Sequence, residues 1–144
     1  MEEQTKTFFG LYERFLNDAL DGQANLDRLS SFYSEEFIAA GPNVVKSGKN
    51  DDQFKKVMEQ GYQRYRAIGT KAMQVRHVGC HDIDGGHWVA RVAWTASYLS
   101  AHGNLTVVDF EVHYLMEMRS GEPKIFGWIA GDEEALLRAN GIID

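Results

Sequence analysis

The sequence predicts an α+β fold in which helices come first and pack on one face of a curved antiparallel sheet. Three observations predict it. Up to Gly69 the apolar residues recur three and four apart in separate segments, the spacing of amphipathic helices. From Thr70 the period changes to two, the spacing of strands. The alternating runs are separated only by the turn clusters Asp84-Gly85-Gly86, His102-Gly103-Asn104 and Ser120-Gly121-Glu122-Pro123. Such connections are too short for the crossover that a parallel pair needs, so consecutive runs must be antiparallel.

The elements follow in order. Phe8, Leu11, Tyr12, Phe15, Leu16, Ala19 and Leu20 form the stripe of a first helix from about Thr5 to Leu20, ended by Asp21-Gly22. Asn25 can cap a short second helix that puts Leu26, Leu29 and Phe32 on one side, with Tyr33 beside them. Phe37-Ile38-Ala39-Ala40 reads as a strand stopped by Gly41-Pro42, because proline lacks the N–H a ladder needs, and Val44-Val45 as a second fragment. Asn50 followed by Gln53 resembles a capping box for a third helix through Phe54, Val57, Met58, Gly61, Tyr62, Tyr65 and Ile68. Three long strands and a fourth, shorter one ending near Gly131 come next, and Asp132 caps a final helical turn or two through Leu137.

Parity assigns the faces. In one strand Phe110, Val112, Tyr114, Met116 and Met118 point one way, toward the helices, and Asp109, Glu111, His113, Leu115 and Glu117 the other. The preceding strand divides into Trp88, Ala90, Val92, Trp94, Ala96 and Tyr98 against Val89, Arg91, Ala93, Thr95, Ser97 and Leu99. Both of its faces are fairly apolar, and one chain has too few helices to cover both, so a homodimer through the outer sheet face is expected.

Composition sets outer bounds. A chain of 144 residues with 44% hydrophobic and 25% charged residues is expected to be a single domain, 1–144, able to hold a core without disulfide or metal. Cys80 is alone, which rules out an internal disulfide. The formal charge of −6 and the lack of a Lys/Arg cluster argue against nucleic acid as a partner. No stretch of about 18 apolar residues suggests a membrane span, and the acidic start Met1-Glu2-Glu3-Gln4 is unlike a secretory leader, so a soluble, cytoplasmic protein is expected. No Gly-rich phosphate loop, HExxH, paired CxxC or GxSxG motif names a reaction.

The first helix with Tyr12, the segment Phe32-Tyr33-Ser34-Glu35-Glu36-Phe37 before Gly41-Pro42, and the closing Phe126-Gly127-Trp128-Ile129-Ala130-Gly131 carry a family likeness. Together with the element order they resemble the nuclear transport factor 2-like superfamily. Its cone-shaped, cystatin-like fold includes ketosteroid isomerases, scytalone dehydratase and SnoaL-like polyketide cyclases. The resemblance implies a deep, mostly apolar pocket between the concave sheet face and the helices, and frequent dimerisation through the sheet. Isomerases of this superfamily place a catalytic Asp just before proline at the end of the first strand. Here that position is Gly41, so the base their proton transfer requires is missing. Their oxyanion-stabilising Tyr matches Tyr12, while its partner Asp falls at Tyr114.

On this basis Tyr12, Tyr33, Tyr62, Tyr65, Trp94, Phe110, Tyr114 and Trp128 are expected to line one ligand pocket, with Tyr12 and Tyr114 on opposite walls. Their hydroxyls should bond each other or a common ligand. His113 and Asp132 are the candidates for acid/base duty, although parity favours an outward His113 in an ion-paired ladder with Arg91, Asp109 and Glu111. His81, Asp82 and His87 flank one turn and could meet across it, but solvated turn residues are the simpler reading, and neither a metal nor a cofactor is expected. Cys80 reads as a small core residue. The functional expectation is a domain binding a small apolar or aromatic molecule. The alternatives are a cofactor-independent SnoaL-like lyase, isomerase, cyclase or hydrolase, and a protein-interaction domain whose pocket has collapsed.

Overall fold

The computed structural model describes all residues, Met1–Asp144. The first helix, α1 (Glu2–Leu20), begins earlier than the apolar stripe, with Glu2 and Glu3 at its positive end. The second, α2 (Leu26–Ser30), is capped by Asn25, whose side-chain oxygen accepts from the Arg28 N–H at 3.0 Å. Strands β1 (Tyr33–Ala40) and β2 (Val45–Lys49) follow, β1 starting at Tyr33 rather than Phe37. The cap of α3 (Asp52–Ala67) is Asp51, which accepts from the Phe54 N–H, and not Asn50. Asn50 instead donates from Nδ2 to the Ser30 carbonyl at 2.7 Å and to the Tyr33 carbonyl at 3.1 Å, tying the α2–β1 corner to the start of α3. Both residues can cap, and only their tertiary surroundings separate them.

Strands β3 (Thr70–Asp84), β4 (His87–Leu99), β5 (Leu105–Arg119) and β6 (Glu122–Ala130) make the expected antiparallel meander, and α4 (Glu133–Ala139) closes the chain under an Asp132 cap. The strand order is β2-β1-β6-β5-β4-β3. Within it β1 runs parallel to β6, a pairing that bridges most of the chain and that local pattern cannot reveal. Register shifts between Val75 and His77, between Leu115 and Met116, and between Tyr33 and Ile38 interrupt the ladders. Irregularities of this kind bend strands and increase local twist, which suits a sheet that curves round its helices.

The concave face is the core. Trp88, Ala90, Val92, Trp94 and Ala96 of β4 are almost fully buried, as are Phe9 and Ala19 of α1. Burying each of the larger side chains stabilises by about 1.5–3 kcal/mol. Polar bonds then fix how α1 lies on the sheet: Asn17 donates to the Met73 carbonyl at 2.7 Å and accepts from the Met73 N–H at 2.9 Å, and the Val75 N–H donates to Glu13. At the end of α1, Arg66 donates to the Ala19 carbonyl, which also accepts from the Gly22 N–H. The convex face carries no helix, and exposes Ile38, Val107 and Ile129 among its polar residues. No helix is long and apolar enough to cross a membrane.

Candidate functional site

Between the concave face and α1, α3 and α4 lies a cavity of about 520 Å³ lined by 21 residues, 16 of them hydrophobic. Each element contributes according to its period: Tyr12 from the α1 stripe, Tyr62 and Tyr65 from α3, and Trp94, Phe110, Tyr114 and Trp128 from inward-pointing positions on β4, β5 and β6. Tyr33 enters at the start of β1. With Tyr98, the chain's 6 tyrosines all border this one space. Reading the sequence missed Tyr98 as a lining residue, although it shares parity with Trp94. It also missed Glu133 and Leu136, which α4 brings over the mouth.

The hydroxyls form a partial network. The Tyr12 and Tyr33 hydroxyls are bonded at 2.7 Å, and the Trp94 indole N–H donates to the Tyr114 hydroxyl at 3.2 Å. Tyr12 and Tyr114 therefore do not bond each other; their rings pack edge to face with centroids 6.5 Å apart. In the first pair one hydroxyl donates and the other keeps its proton free, and Tyr114, acting as acceptor, also keeps its own. Tyr62 and Tyr98 are largely buried, and their hydroxyls, which have no protein partner, open on the cavity. Burial is the main cause that holds Tyr12, Tyr33, Tyr62, Tyr65 and Tyr114 above the ordinary phenol range, and Tyr98 is pushed up to about 12. The Glu133 carboxylate adds to the rise at Tyr65 and Tyr98. At neutral pH these groups are therefore neutral phenols, hydrogen-bond donors in an apolar chamber.

The two acid/base candidates part company. His113 stands exposed on the convex face, with Arg91 and Ile129 as its register neighbours, because its parity is opposite to that of Tyr114. It does not reach the cavity, which corrects that candidacy. Asp132 does line the mouth, but its carboxylate accepts from the Ala135 N–H at 3.0 Å as the cap of α4. Of the outer ladder, Arg91 and Glu111 lie 3.4 Å apart, while Asp109 turns to Thr95 at 2.6 Å and to Arg76 at 3.5 Å. His87 lies 3.0 Å from Asp84 within its own turn, and Cys80 is half-buried against the core. Gly41 ends β1 as expected and donates to the Val44 carbonyl, offering no carboxylate there.

A family model described as "NTF2-like protein (DUF6841)" matches residues 2–133. The chain belongs to this NTF2-like family. The match takes in every element of the sheet and ends at the first residue of α4. Solved structures agree on the fold. An NTF2-like protein with a cystatin-like fold from Novosphingobium aromaticivorans superposes with a TM-score of 0.70 at 11% identity, covering 99% of this chain and 88% of that one. A candidate scytalone dehydratase from the same organism gives 0.64 at 9% identity, covering 88% and 80%. The β subunit of benzoate 1,2-dioxygenase from Burkholderia mallei gives 0.65 at 14% identity, covering 97% and 92%. No curated protein matches the sequence significantly. At these identities the NTF2-like neighbours speak for the fold, and chemistry must be argued from the site.

Proposed function

We propose that this NTF2-like protein binds a small, largely apolar or aromatic molecule in the cavity, held by ring contacts and oriented by phenol donors. The observation that carries the reading is the convergence of all 6 tyrosines on one space of about 520 Å³. A cavity of this size, mostly apolar with a few aimed polar groups, is the usual form of a small-molecule site. Its free phenol protons, at Tyr114, at one of Tyr12 and Tyr33, and at Tyr62 and Tyr98, favour a ligand that accepts hydrogen bonds, such as a ketone. Each bond would contribute about 0.5–1.5 kcal/mol. We further propose that two copies pair through the convex face, where Ile38, Val107 and Ile129 are exposed and no part of the chain covers them.

The reading is tested by calorimetry with 1-acetonaphthone and its hydrocarbon analogue 1-ethylnaphthalene. Saturable binding of both, with the ketone several-fold tighter, is expected on the hydrogen-bond magnitudes above. Absence of binding by either up to its solubility limit would overturn the proposal.

A further inference from the structure

We infer that the ligand carries a protonated amine at its outer end, seated at the cavity mouth between the Glu133 carboxylate and the rings of Tyr65 and Tyr98. The inference rests on the cavity reading above and specifies the class of molecule it takes. The lining contains no lysine, arginine or histidine. An anionic ligand would thus lose its water with no basic group to replace it, which disfavours its entry.

The acidic residues of the lining differ in what their carboxylates do. Those of Asp109 and Glu111 are turned to the convex face, engaged by Arg76 and Thr95 and by Arg91 respectively. Asp132 is occupied as a helix cap. Glu134, next along the chain, is bonded to Arg64 at 2.7 Å and does not line the cavity. Glu133 alone is a lining carboxylate with neither an ion pair nor a capping role; it is exposed at the mouth and lies beside the Tyr65 hydroxyl. It stands in the first turn of α4, beside the Tyr65 and Tyr98 side chains.

The aromatic residues at the mouth are compatible with a cation there. Tyr98 is 5% and Tyr62 7% exposed, and both border the cavity with hydroxyls that have no protein partner; a phenol oxygen can accept from an ammonium N–H. A protonated amine at the mouth pairs with the Glu133 carboxylate and lies against the Tyr65 and Tyr98 rings, a cation–π contact that strengthens as water is excluded. The apolar body of the molecule then extends inward to Trp94 and Trp128, where the remaining phenol donors stand. The chain's formal charge of −6 assists the approach of a cation.

The test uses three probes sharing one ring system: 1-naphthylmethylamine, 1-naphthylmethanol and 1-naphthoate, titrated calorimetrically at pH 7 into the protein and into its Glu133→Gln and Glu134→Gln variants. The expected order is amine about tenfold tighter than alcohol, with the acid weakest, as befits one charge-assisted hydrogen bond. Glu133→Gln should bring the amine-to-alcohol ratio close to one, and Glu134→Gln should leave it unchanged. Alcohol binding with no preference for the amine, or an equal loss of preference in both variants, would overturn this inference while leaving the cavity reading intact. Failure of all three probes to bind would remove both.

Discussion

The hydroxyls of Tyr12 on α1 and Tyr33 on β1 are bonded at 2.7 Å, and their rings pack edge to face with centroids 6.3 Å apart. This contact joins the first helix to the strand that carries the parallel pairing with β6. Tyr12→Phe and Tyr33→Phe should each lower stability by about 0.5–1.5 kcal/mol, and the double variant should cost little more than either single one, because both remove the same bond. Urea unfolding of the four proteins measures the coupling. Simple additivity would show that the bond contributes nothing.

Tyr114→Phe should cost more than Tyr62→Phe. The first change leaves the indole N–H of Trp94, itself 1% exposed, without its acceptor, a penalty of about 1–3 kcal/mol. The second removes a hydroxyl that has no protein partner and should leave thermal unfolding nearly unchanged. Equal melting temperatures for the two variants would contradict the assignment.

All 6 tyrosines are held above the usual phenol value of 10.0, chiefly by burial, so none should ionise near pH 10 while the protein is folded. The sign of the linkage is fixed by this. The unfolded chain gives up phenol protons near pH 10 and the folded chain only above it, about 12 for Tyr98, so the stability these groups contribute is complete below pH 10 and is lost as pH rises beyond it. Tyrosinate absorbance near 295 nm should therefore appear together with loss of structure, not before it. A titration centred on pH 10 in the folded protein would refute the burial of the set.

The convex face should mediate dimerisation. Sedimentation at micromolar concentration is expected to show twice the 16.3 kDa chain mass, and Ile129→Asp, which would place a charge in the middle of the contact, should return the protein to monomer. A wild-type monomer would exclude the arrangement. A dimer unaffected by Ile129→Asp would place the contact elsewhere.

Local rules account for much of what was legible in the sequence. Helical spacing named Tyr12, Tyr62 and Tyr65, and strand parity named Trp94, Phe110, Tyr114 and Trp128, because a side chain's direction repeats every 3.6 residues in a helix and every 2.0 in a strand. The cap residues Asn25 and Asp132 were readable for the same reason, since capping is satisfied within three residues. Asn50 was misread where that range ends, its side chain being taken by carbonyls of Ser30 and Tyr33 instead of its own helix.

What the sequence determined by itself, then, is the kind and order of the elements and which face of each is apolar. Tertiary structure decided the rest: the parallel seating of β1 beside β6, the Asn17 clasp of α1 on Met73, the partners chosen by each tyrosine hydroxyl, and the folding of α4 so that Glu133 reaches the cavity mouth. Periodicity fixes a direction about one element's axis, whereas a hydrogen bond needs two atoms within about 3 Å. When those atoms belong to distant elements, their separation depends on how every intervening layer packs.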